Sequence, residues 1–273
     1  MKAAVIGCGV MGRTLLDGLR RAGGWELAAA TRSAETARAV TAELGLPVGT
    51  DNAAAVRGAE LVVLCLKPKN LLAAAADLAP ALAPDCCVVS IAAGVGLAEL
   101  AGVLPAGQPL IRAMPNTPCR VGAGMTALAA GPRATAEQVA AGRRLFESVG
   151  RVAVLAEEHL DAVTGLSASG VAFLYLALEA LVDGGVMAGL PRDKALELAT
   201  QTMLGAARMV QETGRHPAAL KDEVTTPAGC TISALLRLED GRLRSVLARG
   251  VEEAARAAAN LGRKISPPGS GSR

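Results

Sequence analysis

The sequence predicts an α/β fold: an N-terminal Rossmann-type dinucleotide-binding domain followed by an all-helical C-terminal dimerisation domain. Three observations predict it. A glycine-rich turn sits between a strand-like and a helix-like run at the N-terminus, and short β-like runs alternate with helical patterns up to about Val154. From about Glu157 onward strand signals give way to long Ala/Leu-rich segments. The 273 residues are 51% apolar and 19% charged, enough to bury one large core or two modest ones. Only Trp25, Phe146, Phe173 and Tyr175 are aromatic, while alanine is the commonest residue. That disfavours sandwiches and barrels, whose strands prefer aromatic and β-branched residues, and favours helices packed closely.

In order along the chain, strands are expected at residues 3–6, 26–30, 61–66, 87–91, 109–113, 125–129 and 151–154. Helices between them include residues 11–22, 34–44 and 135–149, so the strands read as βαβ units of a parallel sheet. The second half offers helices at residues 173–189, 193–213 and 243–261, with another opening near Thr231. The first of these is apolar around most of its circumference, which suits burial within the chain or under a second subunit. The expected division is 1–156 for the dinucleotide domain and 157–265 for the helical domain. A tail, 266–273, rich in Pro, Gly and Ser, is expected to be disordered.

Several classes are disfavoured. The net charge of +3 arises from 28 basic and 25 acidic residues without a block of like charge, so no nucleic-acid partner is expected. The uncharged run that starts at Val171 stops at Glu179, short of the roughly 20 apolar residues of a membrane span, and no membrane partner is expected. Met1 and Lys2 lead straight into the first expected strand, and no signal peptide is expected. Six cysteines without a CxxC pair, and two histidines, offer no zinc spacing. Reduced thiols in a cytoplasm, and no metal, are the expectation.

The chemistry begins at Gly7-Cys8-Gly9-Val10-Met11-Gly12, a GxGxxG between strand and helix. Gly7 permits the tight turn, Gly9 lets the backbone approach a pyrophosphate, and Gly12 lets the helix pack closely. The second strand ends in Ala28-Ala29-Ala30-Thr31-Arg32-Ser33, without the acid that binds NAD ribose hydroxyls. Arg32, with Ser33 beside it, stands where a 2′-phosphate would lie, so NADPH is favoured and NADH is the lesser alternative. An unliganded surface arginine is the plain alternative. Leu66-Lys67-Pro68 and Ala92-Ala93-Gly94 each follow a strand, at the carboxyl edge where open sheets bind ligands. Met114-Pro115-Asn116-Thr117-Pro118 is a loop stiffened by two prolines, a rigid wall for a ligand or a structural turn.

In the helical half, Thr226-Pro227-Ala228-Gly229-Cys230-Thr231 forms a turn opening a helix, where free N–H groups could meet a carboxylate. Gly165-Leu166-Ser167-Ala168-Ser169-Gly170 offers small residues and hydroxyls at the mouth of the long helix. Either could be an N-cap alone. The chain resembles the pyrroline-5-carboxylate reductases through GCGVMG at 7–12, CLKP at 65–68, SIAAGV at 90–95, RAMPNTP at 112–118 and DEVTTPAGCTI at 222–232, over residues 2 to about 264. The resemblance implies reduction of the substrate 1-pyrroline-5-carboxylate to L-proline with NADPH, and a homodimer of interlocked helices, in the family often built into a larger ring of dimers. It also implies an active site completed by the partner subunit. Thr231 matches the hydroxyl at the substrate's ring nitrogen, and Thr226 with the N–H groups of Gly229 and Cys230 would hold its carboxylate. Ser169 would lie on the substrate side. Asn52 matches an asparagine near the cofactor, and Met114, Asn116, Ala92 and Ala93 match the nicotinamide-side wall. Ala168 and Ala228 depart from the family's glycines, and Ala228 would be strained if the backbone needs positive φ there. The weaker readings are a β-hydroxyacid dehydrogenase-like oxidoreductase, for which Lys194, Lys221 and Lys264 lack the motif setting, and a non-catalytic nicotinamide-nucleotide-binding regulator.

Overall fold

A computed structural model describes residues 1–265, and the tail 266–273 lies outside the described residues. Among the described residues the chain forms two compact units, one of Met1–Ala168 with residues 253–265, the other of Ser169–Glu252. In order, the elements are β1 (Lys2–Ile6), α1 (Val10–Ala22), β2 (Glu26–Ala30), α2 (Ala34–Leu44), β3 (Val48–Gly49), α3 (Asn52–Val56), β4 (Leu61–Leu64), α4 (Pro68–Leu78), β5 (Cys87–Ser90), α5 (Leu97–Ala101) and β6 (Leu110–Met114). They continue with β7 (Gly124–Ala130), α6 (Ala136–Glu147), β8 (Gly150–Val154), α7 (Leu160–Val163), α8 (Gly170–Met187), α9 (Arg192–Thr213), α10 (Pro217–Glu223), α11 (Cys230–Asp240) and α12 (Leu243–Ile265). The seven expected strands are all present, and β3 is an addition.

The sheet runs β3-β2-β1-β4-β5-β6-β7-β8, so the order reverses between β1 and β4. This is the switch point at whose carboxyl edge such sheets bind ligands. One pair departs from the expected parallel sheet: β6 and β7 are antiparallel. The loop of residues 115–123 that joins them is shorter than the dozen or more residues a parallel crossover needs. Side chains alternate between two covered faces. Val5, Val63, Val89 and Ile111 meet Leu15, Leu16 and Leu19 of α1 on one face, and Ile6, Val62, Leu64 and Val88 meet Leu71, Leu97 and Leu100 on the other.

In the second unit α8 packs on α9. Small residues set that contact, since a Cβ at Gly185 would lie 3.1 Å from the Ala195 methyl. Only Gly170 and Val182 of α8 are buried, and Leu174, Tyr175, Leu176 and Met187 are exposed. The apolar run is also longer than expected, because helical structure continues from Glu157 through Glu179 to Met187. By length and composition alone it could cross a membrane. The expectation that no such run exists is therefore corrected: one Glu does not end a helix.

Candidate active site

The glycine turn has the geometry its three glycines imply. Gly7 stands at φ +97°, and a Cβ there would lie 2.5 Å from the Cys65 carbonyl oxygen, while one at Gly12 would overlap the Gly7 carbonyl. Both positions are closed to side chains by backbone packing. Gly9 is different: a Cβ there would meet nothing within 4 Å, so the space above it is open to a ligand. Gly9 is the N-cap of α1, no side chain caps the helix, and its first turn holds no acid. The N–H groups that begin with Val10 thus face a site that favours an anion. Met11 packs partly against the core.

A cleft of about 860 Å³ opens beside this turn, lined by Cys8, Gly9, Val10, Arg13, Thr31 and Thr36 among others. Arg13 and Thr36 had escaped the sequence reading. Arg13 Nε donates to the Cys8 carbonyl at 3.1 Å, and its NH1 pairs with Glu43 at 3.0 Å, so it braces the turn. Arg32 is exposed, and among the described residues no hydrogen bond or ion pair engages its guanidinium. Ser33 caps α2, its Oγ accepting from the Thr36 N–H at 3.3 Å. The open Gly9, the uncapped α1 and the uncommitted Arg32 fit a dinucleotide with a 2′-phosphate.

The remaining wall residues follow the strand ends. Lys67 is the exposed N-cap of α4, with Pro68 in its first turn, where a missing N–H costs nothing. Leu66 places its side chain against Gly7. Ala92 is buried, its N–H donating to Ser90 Oγ at 3.3 Å, and Gly94 takes φ +74°. Ala93 is half-buried, as is Asn52, the first residue of α3. Met114 is buried at the end of β6. Asn116 departs from expectation: its amide is committed within the protein. Nδ2 donates to both the backbone oxygen and Oγ of Ser167 at 3.3 Å, and Oδ1 accepts the Met125 N–H at 2.9 Å.

Ser167 lies in a π-helical stretch, Thr164–Ser169, which is the hydroxyl segment singled out from sequence. Such widened turns are frequent at functional sites. The residue that ends it, Ser169, is half-buried and precedes α8.

In the second unit the Thr226 carbonyl accepts the Gly229 N–H at 3.0 Å. This closes a turn with Pro227 and Ala228 at its centre, and Ala228 stands at φ +54°. The positive φ suspected from sequence is present, in a turn that favours Gly at this place. A Cβ at Gly229 would collide with Thr226 Oγ1, so Thr226 lies directly over the glycine. The Gly229 N–H is spent on the turn and is not free for a carboxylate. Gly229 caps α11 without a side chain, and no acid follows. Free N–H groups therefore begin at exposed Cys230 and half-buried Thr231. His216 caps α10, its Nδ1 accepting from Ala218.

Comparison with known proteins agrees with this architecture. Residues 157–261 match the family model described as pyrroline-5-carboxylate reductase dimerisation, and residues 2–94 match one described as NADP oxidoreductase, coenzyme F420-dependent. The chain is 39% identical to a pyrroline-5-carboxylate reductase of Methanosarcina acetivorans, over 96% of this chain and 98% of that one. Its fold superposes on a pyrroline-5-carboxylate reductase from Coxiella burnetii with a TM-score of 0.89 at 31% identity, covering 95% and 97% of the two chains. A Plasmodium falciparum pyrroline carboxylate reductase with NADP bound gives 0.84 at 26% identity, covering 96% and 98%. On the strength of the glycine turn, the helical half and these likenesses, the chain belongs to the pyrroline-5-carboxylate reductases, oxidoreductases that use NAD(P)H.

Proposed function

We propose that the chain reduces the cyclic imine of 1-pyrroline-5-carboxylate to L-proline with NADPH, the last step of proline biosynthesis. The observation that carries this is the turn before α11. Thr226, the uncapped N–H groups of Cys230 and Thr231, and the Thr231 hydroxyl are gathered in six residues, a match to an amino-acid carboxylate beside a ring nitrogen. Bound NADPH supplies the hydride. Gly9, Val10, Gly12 and Arg32 would hold its phosphates, and Ala92, Ala93 and Met114 would wall its nicotinamide end. A protonated imine is already electrophilic, so the chain's work is orientation more than acid–base chemistry. Thr231 Oγ1 would accept the N–H of the protonated imine and orient it. Once hydride has reached the carbon and the nitrogen carries a lone pair, the same hydroxyl would relay a proton from water to the amine, while Thr226 and the loop N–H groups would fix the carboxylate.

Residues 1–156 serve as the NADP-binding domain and 157–265 as the substrate and dimerisation domain. The working molecule is a cytoplasmic homodimer, or a ring of dimers, whose partner subunit completes the site. The hydroxyacid dehydrogenase reading is disfavoured by its missing lysine. Lys194 is paired with Glu197 at 2.9 Å and Lys221 with Asp222 at 2.6 Å. The test is NADPH oxidation with 1-pyrroline-5-carboxylate, against hydroxyacids with NADP in reverse. Thr231→Ala is expected to lower kcat by about 10²-fold with NADPH affinity unchanged. Undiminished turnover in that variant would remove Thr231 from the mechanism. NADPH binding without imine turnover in the unaltered protein would favour the regulatory reading.

A further inference from the structure

We infer that Asn116 is a positioning residue, which together with Arg112 clamps the helical segment 157–167 to the carboxyl end of β6. The inference deepens the reductase reading and rests on it, because the clamped segment leads through the π turn into Ser169, the hydroxyl expected on the substrate side. An asparagine amide has two donors and two acceptor lone pairs. Three of these are engaged, two donors on Ser167 and one acceptor on the Met125 N–H. A side chain so committed has little left with which to hold a nicotinamide. It does have the means to fix the height of the π turn. The Ser167 carbonyl takes a donor from outside its own helix, and an inserted side chain is one of the recognised ways a helical ladder is re-routed.

Arg112 makes the second grip. It lies four residues before Asn116 and two before Met114, so the strand period puts Arg112 and Met114 on one face. Its side chain is 7% exposed, with NH1 3.5 Å from Glu157 Oε1 and NH2 3.3 Å from Asp161 Oδ1. Glu157 Oε1 also accepts the Leu97 N–H, at 2.7 Å, at the start of α5. These ion contacts are longer than the roughly 2.7–2.9 Å of strong charge-assisted bonds, and Arg112 Nε is buried without a partner. A buried guanidinium with an orphaned donor, paired to carboxylates that are themselves about a third exposed, adds little stability against an apolar replacement. What it supplies is registry. The guanidinium meets both carboxylates only when the turn from Glu157 to Asp161 sits at one height on β6, and Asn116 repeats the constraint at Ser167.

The experiment compares Asn116→Ala, Ser167→Ala, their double variant, Arg112→Met and Arg112→Lys in the full-length protein. It measures NADPH affinity by fluorescence, and kcat and KM for the imine. Asn116→Ala is expected to raise the imine KM about tenfold, the worth of one to two hydrogen bonds, and to leave NADPH Kd within about twofold. The double variant is expected to be no worse than Asn116→Ala, because the two side chains share one interaction. Arg112→Met should raise the same KM, and Arg112→Lys should recover part of the loss. Weakened NADPH binding with an unchanged imine KM would make Asn116 a cofactor ligand and overturn the clamp, as would full additivity with Ser167→Ala. If the unaltered protein turns over no imine, the reductase reading fails separately. The clamp is then decided by amide hydrogen exchange over 164–169, faster in Asn116→Ala if it exists and unchanged if it does not.

Discussion

Ala228 carries a cost that the residue itself reveals. An L-residue in the left-handed region is disfavoured by roughly 1–2 kcal/mol, and Ala228 is held there at φ +54° by the turn that closes between Thr226 and Gly229. Glycine would remove the strain but add about 0.4–1 kcal/mol of unfolded-state entropy. Strain relief is the larger effect. Ala228→Gly is expected to raise the stability of the folded chain by about 0.5–1 kcal/mol, read as a higher denaturant midpoint with unchanged slope. A lower midpoint would mean that the methyl makes contacts worth more than the strain. Arg32 supplies the second prediction at this scale. Its guanidinium is exposed and has no protein partner among the described residues, so Arg32→Ala should leave the fold intact. It should raise the KM for NADPH about tenfold, the value of one charge-assisted phosphate contact, and leave that for NADH unchanged. An equal loss with both cofactors would place Arg32 away from the 2′-phosphate.

At the level of elements, the sequence was legible where a local pattern sufficed. The second helix, Ala34–Leu44, falls on the expected residues because Ser33 caps it and Gly45 ends it in the left-handed region. What escaped depends on partners distant in the chain. The two-residue strand Val48–Gly49 is too short to show a period and exists by pairing with Ala29 and Ala30. No apolar run encodes direction, so the reversal of Gly124–Ala130 against Leu110–Met114 was invisible except through the short loop between them. Arg112 stood in a recognised motif, yet its role comes from Glu157 and Asp161, more than 40 positions on. The turn before Cys230 was legible as a site, but the commitment of the Gly229 N–H depends on the path of the backbone that brings the Thr226 carbonyl to it, which no residue type encodes.

The helix Gly170–Met187 gives the element-scale prediction. Leu174, Leu176 and Met187 are 57%, 67% and 91% exposed, within residues matched by the dimerisation model. A carboxylate buried in an apolar interface without a partner costs several kcal/mol. Leu176→Glu should therefore weaken dimerisation by about 10²-fold or more, seen as a monomer by light scattering at concentrations where the unaltered chain is dimeric. Ala98→Glu on the exposed side of Leu97–Ala101 serves as the control. An unchanged mass would exclude this helix from the interface and return attention to its membrane-like length.

Across the whole molecule the six cysteines are unpaired and five are not exposed at all or only in part, which makes them a distributed alkaline liability. Burial pushes Cys8 up to about 11, against a partial offset from Arg13. It pushes Cys86 to about 12 with help from Asp85, and Cys87 to about 12 with help from Cys86. Burial raises Cys65 and Cys119 as well. The sign follows from linkage. Below the ordinary thiol value of 9.0 both folded and unfolded chains keep these protons, so the thiols add no pH dependence. Between that value and about 11–12 the unfolded chain loses protons that the folded chain retains, and ionisation pulls the equilibrium toward unfolding. Each thiol then contributes a loss of up to about 1.4 kcal/mol per pH unit. The Tm is expected to be level from neutrality to about pH 8.5 and to fall beyond pH 9. Cys87, fully buried on the central strand Cys87–Ser90, is the position at which to isolate one such term. Cys87→Val keeps the volume and apolar character while removing the proton, so its alkaline slope should be shallower than that of the unaltered chain by the share of one thiol. Parallel slopes would show that the alkaline loss, if present, comes from other groups and not from the buried sulfurs.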